Sequence, residues 1–202
     1  QLQPGVMDSV RGLRANLPSR NDGPEGRGLP ERCLVGFGPL AGPIMMPVIY
    51  NSHLQFIQSP GYVVIVAEMV HDARVVRMNS EHKPDSLRTH MGDSIGWWED
   101  DTLIVETTNF LEGSGQARGG SATLKVTERF NRLEDGNLRY QFTVEDPTTW
   151  QAPWSGEYVW RATNAKVYEY ACHEGNYSMG GILRGARLLE EEALTAQGSS
   201  GD

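Results

Sequence analysis

Cysteine is scarce: only Cys33 and Cys172 occur in 202 residues, so the fold is not one held by dense crosslinking. At this length a sizeable core is buried without metal or many bridges. Long apolar runs are missing. The stretch Tyr62-Val63-Val64-Ile65-Val66-Ala67 falls far short of the roughly 20 residues a spanning helix needs, so no membrane insertion is expected. No Lys/Arg-rich block is present, and 18 basic against 26 acidic residues leave a net charge of -8. That balance repels nucleic acid and anionic membrane surfaces, so neither is expected as a partner. Helical stretches are too few for repeated βαβ units, and no internal repeat is visible. The chain opens at Gln1 without a charged-then-apolar leader, as expected for a processed export substrate, and an arbitrary cut of the chain would look the same.

What remains is strand-like. Residues 1–32 are rich in Gly, Pro, Arg and Asn and predict a largely irregular arm. Residues 34–47 form a Gly/Pro loop with apolar teeth at Leu34, Phe37, Leu40, Ile44, Met45 and Met46. Strands are predicted at 48–58, 61–70, 73–78, 95–99, 101–108, 123–133, 137–145, 155–162 and 166–173. Ser59-Pro60-Gly61 and Asp100-Asp101 break runs, and Glu134-Asp135-Gly136-Asn137 is a hairpin signal. Alternation is clear where Leu138, Tyr140, Phe142 and Val144 share one face. A helix is predicted at 179–197, with Leu183, Ala186, Leu189 and Ala193 on its stripe, before a frayed tail at 198–202.

Two polar clusters close apolar runs: Glu68-Met69-Val70-His71-Asp72 and Cys172-His173-Glu174. Such side chains are costly to desolvate beside a core. Read as strands, His71 shares a face with Val63, Ile65, Ala67 and Met69, and His173 with Val167, Glu169 and Ala171. If those faces line one cavity, His71, His173 and Glu169 converge. They could exchange protons, or hold a divalent metal with open positions. The bland reading has each histidine bonded to main chain at a strand end.

Other motifs weigh less. Gly92-Asp93-Ser94-Ile95 matches the nucleophile block of GDSL esterases, but no Asp-x-x-His follows, so it reads as a turn into a strand. Glu68-x-x-His71 has di-iron spacing only on a helix, and no second copy exists. Trp97-Trp98-Glu99-Asp100-Asp101 could form a sugar-binding ledge, with Trp150, Trp154, Tyr158 and Trp160 adding aromatic surface. Tryptophan in a β protein is more often core. Glu128-Arg129 reads as an ion-pair element toward a neighbouring strand, and Asp146 as the cap of a turn. Asn176-Tyr177-Ser178 is a glycosylation sequon, meaningful only in a eukaryotic secretory route. The cysteines pair if the compartment is oxidising, and stay inert buried thiols if it is reducing. Pairing is favoured, and closing so long a loop stabilises by roughly 4–5 kcal/mol in the chain-entropy model.

Four blocks carry a resemblance: EMVHDAR at 68–74, MGDSIGWWEDDTLIVETTNF at 91–110, TVEDPTTW at 143–150 and EYACHEGNY at 169–177. They are similar to a large family of uncharacterised exported bacterial proteins, over about residues 31–188. Trp97 and Asp100 stand where that group often has Arg or His, and Gly. The resemblance implies export, and so an oxidising setting for Cys33 and Cys172. It implies no reaction.

The expectation is therefore an all-β domain over 33–178, an antiparallel barrel of eight or nine strands resembling the calycins, with a β-sandwich as alternative. The C-terminal helix and the N-terminal arm pack outside it. The expected protein is periplasmic or secreted, with a small-molecule ligand and an open oligomeric state. As an enzyme it would be a lyase, isomerase or hydrolase moving protons on a small polar or sugar-like molecule. His71 and His173 would be base and acid, oriented by Asp72, Glu169 or Glu174. Glu68, Trp98, Tyr168 and Tyr170 would bind substrate. No cofactor is the first expectation, and a divalent metal on His71, His173 and Glu169 the second. A non-catalytic binding barrel and a structural envelope module are the other readings.

Overall fold

A computed structural model describes residues 1–8, 19–36, 42–112 and 121–199. Phe37 and Leu40, most of the arm between Ser9 and Pro18, and the last three residues lie outside these. The described residues form one curled eight-stranded sheet in chain order. The strands are β1 (Leu54–Ser59), β2 (Tyr62–Ala67), β3 (Ala73–Met78), β4 (Asp93–Glu99), β5 (Thr102–Thr108), β6 (Lys125–Arg132), β7 (Leu138–Glu145) and β8 (Trp154–Trp160). A short helix α1 (Cys172–Gly175) and a long helix α2 (Tyr177–Ser199) follow.

Neighbouring strands pair antiparallel, except that β3 and β4 run parallel through Val76↔Ser94, Arg77↔Ile95 and Met78↔Gly96. Parallel neighbours need a crossover, and residues 79–92 supply it. Gly92 ends that crossover at φ +73, where an added Cβ would come within 2.5 Å of the Thr108 carbonyl oxygen. Only glycine fits such a turn.

The alternation read in the sequence sets the inner face. Leu103, Phe130 and Tyr140 stand opposite one another across β5, β6 and β7, and all three are buried. Ile44 and Met45 plug the interior from the preceding loop. The sheet curls far enough for β1 to meet β6, where Phe56 packs edge-on against Phe130 at 5.4 Å between ring centres. Arg74 of β3 likewise crosses to Glu128 of β6 as a bidentate pair at 2.5 and 3.1 Å. The Tyr140 hydroxyl donates to Glu128 at 2.8 Å and accepts the Met45 N–H at 3.0 Å. Burial, then the Glu128 charge, pushes the Tyr140 phenol well above its ordinary value. A charge pair this deep is tolerated because the guanidinium fork and the phenol satisfy both carboxylate oxygens. Glu128 is thus the ion-pair residue the sequence pointed to, with its partner across the interior; Arg129 pairs outward with Glu99 at 2.9 Å.

Three expected elements change. The run at 61–70 stops pairing at Ala67, and a 3-10 turn covers Met69–His71. The predicted strand 48–58 shortens to β1. The segment 166–173 is not a ninth strand: residues 161–171 carry no regular structure, and Cys172 opens α1. Its alternating Val167, Glu169 and Ala171 are all exposed, so no face of it is buried to define a strand. The predicted helix is present and longer, yet only its first half packs. Ala186 is buried and Leu183 half-buried, while Leu189 and Ala193 on the same stripe are exposed. The arm is tied to the body by the Cys33–Cys172 disulfide, by Asn176 Nδ2 donating to the Glu31 carbonyl, and by Arg187 Nη2 donating to the Asn21 carbonyl.

Candidate functional site

β1 and β8 are the two ends of the sheet and do not pair with each other. The seam between them is a cleft of about 760 Å³, a size that suits a small-molecule ligand. Apolar side chains on its walls are Leu54 and Phe56 from β1, Leu138 from β7, Val159 and Trp160 from β8, and Val167 beyond. Trp160 is held in place by stacking on Tyr140 at 5.0 Å. Ser52, His53, Gln55, Arg161 and Thr163 add polar atoms to the lining.

His53 is the chemically distinctive member. Its Nδ1 lies 2.5 Å from Glu68 Oε2, and Asn51 Nδ2 donates to Glu68 Oε1 at 2.6 Å. Glu68 is only 3 % exposed, whereas the His53 side chain is 39 % exposed. The main chain locks the pair as well, since the Glu68 N–H donates to the His53 carbonyl at 3.0 Å. A carboxylate only accepts, so with Asn51 on one oxygen the ring N–H of Nδ1 belongs on the other. The other ring nitrogen, Nε2, has no hydrogen-bond partner among the described residues. A buried carboxylate orienting a half-exposed imidazole is the arrangement of a general base and its positioning group.

The residues singled out in the sequence fall around this pair in three groups. Glu68 belongs to it. His71 lies beside Tyr170, whose main-chain N–H donates to His71 Nε2 at 3.1 Å. The alternation does hold from Val63 through Met69, all buried at odd positions. It breaks where Val70 and His71 adopt φ of 60° and 55°, which turns His71 out to solvent. Asp72 accepts the Gly36 N–H, and burial raises its carboxyl above the ordinary value against that bond. The second group lines a cavity of about 520 Å³ between arm and α2, where Glu169, Tyr170 and Cys172 meet Glu31, Asn51 and Asn176. Burial, then Tyr50, raises the Tyr170 phenol. The third group is exposed: Trp98 at the β4–β5 hairpin, Tyr168 in the segment after β8, and His173 and Glu174 in α1.

No three His, Cys, Asp or Glu side chains are placed to hold a metal ion among the described residues, so His71, His173 and Glu169 do not form such a set. The aromatic group also divides. Trp150, Trp154, Tyr158 and Trp160 pack against the core, leaving Trp98 exposed at the hairpin. Ser94 of the esterase-like tetrapeptide is buried and bonded to the Thr107 hydroxyl at 2.8 Å; the tetrapeptide reads as a turn in the sequence, but β4 already begins at Asp93, so Ser94 is an interior strand residue. Asn176 of the sequon uses its amide on the arm and beside Cys33 Sγ.

Sequence reasoning missed His53, because the strand drawn over 48–58 absorbed it. Its signal was the polar triplet Asn51-Ser52-His53 just before an apolar run. It also missed His82, whose ring nitrogens lie 3.0 Å from Asp93 and 3.3 Å from Glu106. Arg77 adds Nη2, which donates to both Asp93 oxygens at 3.0 and 2.8 Å. Burial alone would lift the Asp93 carboxyl; the Lys83 N–H, His82 and Arg77 outweigh it and hold it below its ordinary value. This cluster clamps the crossover to β4 and β5. No family model matches the chain, and neither a curated protein nor a solved structure matches it.

Proposed function

We propose that this chain is an exported protein of the periplasm or the cell exterior that catalyses proton transfer on a small molecule held in the seam cleft. His53 is the base, and Glu68 is its positioning residue. The observation that carries this reading is the His53–Glu68 contact of 2.5 Å at the wall of the cleft between β1 and β8. A half-exposed imidazole at the wall of the cleft is open to a bound molecule and can abstract a weakly acidic proton from it. Lyase, isomerase and hydrolase chemistry all start from that step. The Cys33–Cys172 disulfide supports the oxidising compartment.

The test uses 5-nitrobenzisoxazole, whose ring opens to a coloured phenolate when its C–H proton is removed. The expected result is turnover well above that of free imidazole, lost about 100-fold in His53→Ala and His53→Gln. Glu68→Gln loses rate while retaining part of the binding. Equal rates for the native chain and both His53 variants, with their melting unchanged, overturn the reading.

A further inference from the structure

The seam cleft carries a feature that the base does not explain. Arg161 is the sole Lys, Arg, Asp or Glu in its lining. Arg161 is exposed, and no carboxylate pairs with it among the described residues. Arg74, Arg77 and Arg129 are each engaged by a carboxylate, Glu128, Asp93 and Glu99 in turn, so they are not free to take a ligand's charge as Arg161 is. The main chain holds Arg161 at the cleft. Ala162 donates its N–H to Asn137 Oδ1 at 3.0 Å, and Ala165 donates to Thr163 Oγ1 at 3.1 Å. In the β6–β7 hairpin, Gly136 lines the cleft and the adjacent Asn137 holds the segment that carries Arg161.

We infer that the ligand of this cleft is a small organic anion, an apolar or aromatic body with a carboxylate head, and that Arg161 selects it. The inference rests on the seam cleft being the ligand site, as proposed above. A guanidinium fork matches a carboxylate in a planar, two-point contact. Leu54, Phe56 and Trp160 receive the body. A neutral head loses the charge-assisted contact, and an acidic surface elsewhere on the molecule repels the anion from competing places.

The test compares 4-phenylbutyrate with its amide, 4-phenylbutyramide, by titration calorimetry and by chemical-shift perturbation of the Gln55 and Trp160 side chains. In the native chain the carboxylate binds at least about fivefold more tightly than the amide, and the ratio falls as salt rises. In Arg161→Gln the two bind alike, while Arg161→Lys keeps part of the preference. In His53→Gln the preference persists although proton transfer is lost, which separates this inference from the catalytic reading. Equal binding of acid and amide, a preference that survives in Arg161→Gln, or shifts confined to residues outside the cleft overturns the inference. So does no binding of either compound at millimolar concentration.

Discussion

Asp146 shows how a single side chain in this protein concentrates stability. It is 2 % exposed and ends β7. Its oxygens accept from the Ser121 N–H and hydroxyl at 2.9 and 2.7 Å and from the Thr123 and Thr148 hydroxyls, both at 2.9 Å. Burial alone would raise its carboxyl; the Thr149 side chain, Ser121 and Thr123 overcome that and bring it from 3.8 to about 2. A depressed carboxyl stabilises the folded state above its unfolded value, and that contribution is lost as pH falls toward the folded value. Asp146→Asn is expected to cost about 2 kcal/mol at pH 7. Urea melts between pH 7 and pH 2 check this: the difference from the native chain holds down to about pH 4 and closes near pH 2. A difference that stays constant across that range would assign the loss to shape and not to charge. Glu68 is likewise a buried carboxylate whose two oxygens are held, by His53 and Asn51.

At the scale of elements, the connection between β2 and β3 is the strained one. Val70 sits at φ 60°, ψ 8°, and His71 follows at φ 55°. A β-branched residue in the left-handed region costs of order 1–3 kcal/mol. The turn persists because Ala67 and Met69 are anchored in a buried cluster on one side, and the Ala67 N–H closes on the Asp72 carbonyl at 2.8 Å. Val70→Asn keeps the turn with a residue that tolerates this backbone, so it is expected to raise the melting temperature by about 2–4 °C. Val70→Ala, which has no such tolerance, is the control and should not gain. A lower melting temperature for Val70→Asn would mean that valine packing against Met69 outweighs the strain. The turn also fixes the site, because Glu68 precedes it and reaches back to His53 across the β1–β2 hairpin.

For the molecule as a whole, the disulfide joins residues 139 apart in sequence. It ties the arm to α1 from outside the sheet, whose core of Val105, Val126, Tyr140 and Val144 includes neither cysteine. Loop closure of that length is worth about 5 kcal/mol in the chain-entropy model. The double variant Cys33→Ser, Cys172→Ser should therefore lose up to this amount in denaturant melts. Amide exchange should locate the change, with protection lost across 19–36 and 172–187 and kept in β5 to β7. Uniform loss of protection would mean that the arm and sheet unfold as one unit. At this scale too, no helix among the described residues is long and apolar enough to cross a membrane.

The strand pattern, the hairpin at Glu134–Asn137 and the C-terminal helix were legible along the chain. Side chains that alternate between core and solvent write a period of two into any half-buried strand. The pairing of Cys33 and Cys172 was legible from the expected compartment, which the export-like start suggested and the resemblance then implied, and not from any local pattern. The site was not legible in the same way. His71 and His173 looked like the chemistry because they ended apolar runs, but two left-handed residues turn the first outward, and the second stands in a short helix. The proposed pair needs His53 and Glu68 to meet across a hairpin, and the cleft needs the first and last strands to approach without pairing. Curl, crossover and seam arise from how the whole sheet packs upon its interior, and no local periodicity encodes the distance between residues that far apart.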